Sequence, residues 1–148
     1  MYLAYLDADL PHSVTCDNFA NPETLELQPH FEEYVREAFK PLGVYINAWK
    51  PKLEAGHLQR IQVMMVNDEY ETARGELMLA FSRAGDGKEV SRATLEYEIP
   101  PLGQMTYVFK LQTPAELDCH VLSATATRPG RAWSPVVSRR KITVTPKS

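Results

Sequence analysis

The hydrophobic period changes at Pro41, and this change constrains the fold more than any other feature of the chain. Before it, apolar side chains recur at helical spacing and form one stripe, made of Phe31, Tyr34, Val35, Ala38 and Phe39. After it, apolar and polar residues alternate with a period of two, which is typical of half-buried strands. The sequence therefore predicts one helix near residues 29–39, ended by Pro41 because a residue before proline avoids the helical conformation, and strands from there on.

The alternating pattern occurs in seven stretches, which are residues 42–49, 58–66, 75–81, 90–99, 104–111, 117–127 and 136–144. Turn-forming residues separate them, and Gly85-Asp86-Gly87 is typical of a hairpin because Asp-Gly tolerates positive φ. Many short strands with regular turns favour an antiparallel sandwich over a parallel α/β sheet. The predicted fold is all-β, an immunoglobulin-like antiparallel β-sandwich of about seven strands, preceded by one short α-helix and an N-terminal arm.

The chain of 148 residues is short enough for one domain with an appended segment. We expect an arm, or a remnant of a preceding domain, over 1–28, the helix and junction over 29–41, and the sandwich over 42–148. The strand faces that alternate inward form the predicted core, which is Val44, Ile46, Ile61, Val63, Met65, Leu77, Leu79, Phe81, Leu95, Tyr97, Tyr107, Phe109, Val121 and Ile142.

Composition argues against several classes of partner. The net charge of −3 gives a nucleic acid little electrostatic reason to bind, and no apolar run approaches the about 20 residues of a membrane helix. The start of the chain lacks the basic region of a signal peptide, so we expect a cytoplasmic protein unless the chain is a fragment of a secreted enzyme. Cys16 and Cys119 are too few for a disulfide framework, and no metal or cofactor motif occurs, so neither a metal nor a cofactor is expected.

Candidate catalytic groups are few. Glu69 and Glu71 stand in the densest acidic cluster, but two acids on one short segment cannot flank a substrate. We interpret that cluster as a strand end at Asn67, a turn made by the Asp68 side chain, and solvated glutamates. His120 is expected to be satisfied or solvent-facing, and its strand neighbour Cys119 points to the opposite face.

Two tryptophans and one arginine are the candidate contact residues for carbohydrate or a partner. Trp133 lies in a loop with Arg131, where the indole either stacks on a sugar ring or partner surface, or closes the end of the core. Trp49 ends the first strand and has the same two alternatives. Packing is the favoured interpretation for both tryptophans.

A resemblance to a known family rests on four parts of the sequence. They are the stretch Phe31 to Asn47 with its Ala38-Phe39-Lys40-Pro41 junction, then Ala55-Gly56, then Val63 to Asp68, and then Gly75 to Leu79. Together with the closing stretch Val137 to Val144, they resemble the region just past the catalytic barrel in family-two-type glycoside hydrolases, such as β-galactosidases and β-mannosidases. The resemblance covers roughly residues 29–145 and implies an immunoglobulin-like sandwich that follows a barrel.

The resemblance also implies what the chain does. The catalytic glutamates of that family belong to the barrel, which needs about 250 residues, so none is carried over to this chain. The implied function is a non-catalytic module of a glycoside hydrolase, whose partner is the catalytic barrel and which contributes to carbohydrate binding. The alternative is a generic immunoglobulin-like protein-binding or adhesion module.

The helix stripe is a candidate interface. Its large members, Phe31, Tyr34, Val35 and Phe39, expose apolar surface that the catalytic barrel or a second copy of the chain would cover. The arm adds apolar side chains, which are Tyr2, Leu3, Tyr5 and Leu6. In the other interpretation, the arm folds back over the helix and the chain stays monomeric.

Overall fold

The structure is a computed structural model that describes residues 8–9, 13–14, 19–21, 23–28 and 31–147. The expectations for Tyr2, Leu3, Tyr5, Leu6 and Cys16 lie outside these residues. Residues 1–39 and residues 40–148 form two compact units.

The first unit contains two short antiparallel strand pairs and the single described helix. β1 (Ala8–Asp9) pairs with β2 (Ser13–Val14), and β3 (Phe19–Asn21) pairs with β4 (Glu26–Leu27). Helix α1 spans Phe31–Ala38, which confirms the predicted helix. Glu32 in its first turn forms an ion pair with Arg36 in its last turn, as the helix dipole favours.

The second unit is a β-sandwich, which confirms the predicted all-β fold. Its strands are β5 (Leu42–Asn47), β6 (Lys52–Glu54), β7 (Leu58–Asn67), β8 (Ala73–Arg83), β9 (Glu89–Ile99), β10 (Gln104–Gln112), β11 (Cys119–Ala126) and β12 (Val136–Thr145). One sheet has the order β10–β7–β5 and the other has the order β6–β12–β11–β8–β9. All pairs are antiparallel except β6 with β12, which run parallel.

The core lies between the two sheets, and the predicted inward faces are confirmed on every strand except β11. Val44, Leu95 and Tyr107 pack against the buried cluster from its margin. On β11 the prediction of Val121 as a core residue was wrong, because Leu122 faces inward and Val121 faces outward. The inward face of β11 continues with His120, Ala124 and Ala126, all of them buried.

Candidate functional site

Three loops meet at one end of the sandwich, which we call the loop end. They are residues 68–72 between β7 and β8, residues 100–103 between β9 and β10, and residues 127–135 between β11 and β12. The Leu102 amide donates to the Glu69 carbonyl at 3.0 Å, and the Asn67 amide donates to the Gly103 carbonyl at 2.8 Å. These backbone bonds hold the first two loops side by side.

Asn67 is the buried polar residue that builds the loop end. Its Nδ2 donates to the carbonyl of Glu71 at 2.8 Å and to that of Pro100 at 3.0 Å, while its Oδ1 accepts the Glu69 amide at 3.1 Å. The strand end predicted at Asn67 is confirmed. The prediction that the Asp68 side chain makes the turn was wrong, because the preceding asparagine can satisfy donors and acceptors on both sides of it.

The third loop joins through ion pairs. Arg128 has only 7% of its side chain exposed, and its Nη2 lies 2.6 Å from Glu69 Oε2. Its Nη1 donates to the Thr72 carbonyl at 3.1 Å. Arg131 reaches both acids, with Nε 3.0 Å from Glu69 Oε1 and Nη2 2.8 Å from Glu71 Oε2. The interpretation of both glutamates as solvated was therefore wrong for Glu69, whose side chain is only 16% exposed and lies between the two guanidinium groups.

Trp133 belongs to the same loop and packs against the core from its margin, the favoured alternative at this position. The Arg128 amide donates to Ser134 Oγ at 2.8 Å, which folds the loop on itself. Arg131 and Trp133 therefore contribute to the structure of the loop end, and their role in carbohydrate or partner contact stays a prediction.

Two exposed apolar side chains project from the loop end, and the sequence interpretation missed both. Tyr70, which stands in the chain between the two ion-paired glutamates, is 86% exposed. Leu102 is 61% exposed and has a positive φ of 51°. Their backbones are fixed by the bonds described above. A Tyr between two acids, and a Leu between Pro101 and Gly103, are weak sequence signals, because isolated exposed apolar residues are common.

Trp49 lies away from the loop end, on the crossover from β5 to β6. The favoured packing interpretation was wrong here, because the side chain is 77% exposed. Its Nε1 donates to Asn47 Oδ1 at 2.8 Å, and its ring lies 6.1 Å from that of Tyr45, tilted by 56°. Arg140 places its guanidinium carbon 5.2 Å from the Tyr45 ring centroid, a cation–π contact that holds Tyr45 in place.

A cavity of about 360 Å³ adjoins this tryptophan, and we call it the Trp49 cavity. It is lined by Asn47, Ala48, Trp49, Lys50, Leu53, Gln59, Arg60 and Ile61. Trp49 is thus the one sequence-predicted contact residue that the structure leaves exposed beside a cavity.

A larger cavity, of about 650 Å³, lies along β8 and β9 beside the start of the third loop. Arg74 and Glu98 line it and form a two-pronged ion pair, at 2.9 and 3.0 Å, which lowers the pKa of Glu98 through hydrogen bonding and charge. Tyr97 also lines it and donates to the Thr127 carbonyl at 2.9 Å; burial raises the pKa of this phenol to about 12. The remaining acids, Glu76 and Glu96, are paired in register across the two strands and exposed.

The remaining sequence candidates do not meet in one site. His120 is buried, with Nδ1 3.1 Å from the Asp118 carbonyl oxygen, so the solvent-facing alternative is wrong. Tyr34 on helix α1 and Phe39 just after it are exposed, and Phe31 and Val35 are partly exposed; their role as an interface stays a prediction. Within the described residues, no group of three or more His, Cys, Asp or Glu is placed to hold a metal ion, and no helix is long and apolar enough to span a membrane.

Comparison with known proteins gives structural likeness without sequence similarity. No family model matches the chain, and no curated protein is similar to it. A transglutaminase from red sea bream matches with a TM-score of 0.54 and 16% identity, over 86% of this chain and 20% of that one. A β-glucosidase from Listeria innocua, solved with glucose, matches with a TM-score of 0.52 and 11% identity, over 72% of this chain and 16% of that one.

A third solved structure is similar to the same extent. It is a cycloisomaltooligosaccharide glucanotransferase from Paenibacillus sp., complexed with cycloisomaltoheptaose, with a TM-score of 0.50 and 19% identity. The match covers 70% of this chain and 14% of that one. At these identities the likeness shows the fold alone, and the chain spans a fifth or less of each of the three proteins.

Proposed function

We propose that this chain is a non-catalytic, immunoglobulin-like β-sandwich domain of a carbohydrate-active enzyme, which packs on the catalytic domain and contributes to carbohydrate binding. The strand order supports the immunoglobulin-like assignment. The sheet of β5, β7 and β10 faces a second sheet, and the chain crosses to that second sheet directly after β5, where β6 pairs with β12. The likeness to 16% of a β-glucosidase and 14% of a glucanotransferase supports the place of such a sandwich within a larger enzyme.

The observation that carries the non-catalytic assignment is the pairing of the acidic cluster. Glu69 and Glu71 are bound to the same guanidinium group of Arg131, and Arg128 neutralises Glu69 from its buried side. Glycoside hydrolysis needs two carboxylates on opposite sides of the scissile bond, one of them available as an acid. Two acids that share an arginine on one side of a loop cannot perform these roles.

The loop end is the surface that we propose for docking on a catalytic domain. Tyr70 and Leu102 are exposed there on loops whose backbones are already ordered by hydrogen bonds and ion pairs. Ordered loops lose little conformational entropy on binding, so the apolar contacts that they make contribute to affinity nearly in full.

The test is co-expression of the chain with the catalytic barrel encoded next to it in the genome, followed by size-exclusion chromatography with light scattering. We expect a one-to-one complex whose affinity falls about tenfold or more in Tyr70→Ala combined with Leu102→Ala. Leu117→Ala, which removes another exposed apolar side chain, is the control. The absence of any neighbouring barrel, or a complex indifferent to the double substitution, would contradict the proposal.

The catalytic part of the proposal has its own assay. The isolated chain should not hydrolyse chromogenic β-galactosides, β-mannosides or β-glucosides. Turnover that disappears in Glu69→Gln or Glu71→Gln would show that the acidic cluster is catalytic.

An immunoglobulin-like protein-binding or adhesion module is the second candidate. The observation that favours it is the convergence of three loops at one end of the sandwich, since variable domains use such loops to bind antigens. A partner that lacks a catalytic barrel yet binds through Tyr70 and Leu102 would favour this candidate. A second copy of the chain is a further partner, and sedimentation of Tyr34→Ser combined with Phe39→Ser would detect a dimer formed through the helix stripe.

A further inference from the structure

The Trp49 indole is exposed and also fixed. Its hydrogen bond to Asn47 and its tilted contact with Tyr45 restrict rotation of the ring, although 77% of the side chain faces solvent. Leaving a large aromatic side chain in water forgoes the free energy gained by burying its apolar surface. An exposed ring that is held in one orientation is suited to bind a flat apolar surface of a ligand.

The side chains beside the indole divide into an apolar and a polar set. Ala48, Leu53 and Ile61 are the apolar members; Ile61 is buried in the core, and Ala48 and Leu53 pack against it. Asn47, Gln59 and Arg60 supply amide and guanidinium groups, and Asn47 Nδ2 also donates to Gln62 Oε1 at 3.3 Å. The cavity, at about 360 Å³, falls at the lower end of the about 300–1,000 Å³ typical of small-molecule sites.

This combination matches the chemistry of a sugar ring. A pyranose has a face of C–H groups, which can pack on an indole, and an edge of hydroxyl groups, which both donate and accept hydrogen bonds. Amide groups donate and accept as well, so Asn47 and Gln59 can satisfy hydroxyls in either direction. No carboxylate lines the cavity, so it offers no counter-charge to a cationic ligand and no acid–base pair for hydrolysis.

We infer that the Trp49 cavity binds one pyranose unit of an oligosaccharide, with the ring stacked on the Trp49 indole and its hydroxyls bonded by Asn47 and Gln59, without cleaving it. The inference deepens the proposed function by naming the place where the domain contacts carbohydrate. Lys50 and Arg60 line the same cavity, so a saccharide with carboxylate groups binds more tightly than a neutral one at low salt.

The experiment uses the full chain labelled with 5-fluorotryptophan, which reports on each of its two tryptophans separately. Cellohexaose, laminarihexaose, mannohexaose and oligogalacturonate are titrated to millimolar concentration, with fluorine NMR and calorimetry as readouts. We expect at least one saccharide to shift the Trp49 resonance, assigned with Trp49→Phe, and to leave the Trp133 resonance in place.

Variants then locate the site. Trp49→Ala should lower the affinity about tenfold or more, because it removes the stacking surface, whereas Trp49→Phe should retain part of it. Val90→Ala, on the edge strand β9, should bind as the unchanged chain does. A thermal unfolding curve for each variant shows that the fold is retained, which is expected for Trp49 because its side chain is exposed.

Two outcomes would overturn the inference. One is no resonance shift and no heat with any of the four saccharides, and the other is binding that persists unchanged in Trp49→Ala. Either result leaves the docking proposal intact if the complex with the catalytic barrel still forms. Loss of that complex alongside retained saccharide binding would instead refute the docking proposal and support the cavity.

Discussion

Gly75 is the position where one added carbon should disturb the sandwich most. It lies in β8 opposite Tyr97 of β9. A Cβ built at Gly75 would fall 1.8 Å from the Thr127 carbonyl oxygen and 2.9 Å from its carbon, and also 3.0 Å from the Tyr97 hydroxyl. Because the nearest atoms belong to the backbone of Thr127, the strain in Gly75→Ala cannot be relieved by rotating a side chain.

The destabilisation in Gly75→Ala has two sources. Forcing the Thr127 backbone away costs about 1–3 kcal/mol, the usual range for overpacking a well-filled region. The same movement breaks the hydrogen bond from Tyr97 to the Thr127 carbonyl, 2.9 Å long, which contributes about 1 kcal/mol. We therefore expect a loss of about 2–4 kcal/mol in the free energy of unfolding. Thr127 immediately precedes Arg128, so the change also loosens the loop end.

Gly43→Ala is the matched control, since Gly43 also lies within a strand, β5. A Cβ there would lie 3.6 Å from the Val66 Cβ, an ordinary van der Waals contact. Glycine within a strand is less favourable than alanine by about 0.5–1 kcal/mol, so Gly43→Ala should leave stability unchanged or raise it slightly. The two substitutions are chemically identical and differ only in what surrounds the new carbon.

Urea unfolding followed by circular dichroism measures both variants. With an m-value of about 2 kcal/mol per molar urea, the middle of the usual range, the midpoint of Gly75→Ala should fall by about 1–2 M with little change in m. A Gly75→Ala variant within about 0.5 kcal/mol of Gly43→Ala would show that the Thr127 backbone has room to move. The close approach of β8 to the start of the third loop would then not be a constraint on the fold.

Two further predictions concern charge and pH. Arg128→Met should lower the free energy of unfolding by about 1–3 kcal/mol, because Glu69 Oε2 loses its nearest cation while Arg131 still pairs with Oε1. Arg74→Met removes an exposed guanidinium and should unfold at the urea midpoint of the unchanged chain. Since burial holds the pKa of Tyr97 near 12, above its unfolded value of 10, stability should fall as the pH rises from 10 through 12. The urea midpoints at pH 9 and pH 11 should differ less in Tyr97→Phe than in the unchanged chain. Equal differences in the two proteins would show that Tyr97 is not the source of the pH dependence.

The elements that local patterns specify could be predicted from the sequence. The apolar stripe before Pro41 and the alternation after it correspond to α1 and to the seven long strands, because a helix and a half-buried strand each impose their period on the residues that face the core. Strand β6 was missed because it is only three residues long. It is stabilised by parallel pairing with Thr143 to Thr145, and no local pattern in residues 52–54 indicates that pairing.

The loop end could be predicted only in parts. The acids of residues 69–71 and the arginines of residues 128–131 are each visible in the sequence, but Arg131 and Glu71 are 60 positions apart. Their contact depends on the β7–β8 crossover and the β11–β12 hairpin loop lying at the same end of the sandwich, which is a property of sheet order and not of either segment. Trp49 was misjudged for a similar reason, because alternation alone does not show that the chain leaves β5 for the other sheet at that point.

The proposed docking surface and the proposed saccharide site lie at different levels of the same strand pair, so each can be occupied without the other. In the antiparallel register of β5 with β7, Asn67 is level with Leu42, whereas Asn47 is level with Gln62. The five residue-to-residue steps from Leu42 to Asn47 extend about 17 Å along the sheet, at about 3.4 Å per step. Tyr70 follows Asn67 and Trp49 follows Asn47, so the two exposed rings lie beyond opposite ends of that stretch. A saccharide on Trp49 therefore leaves the loop end free, and we expect the free energies lost in Trp49→Ala and in Tyr70→Ala to be additive when both ligands are present.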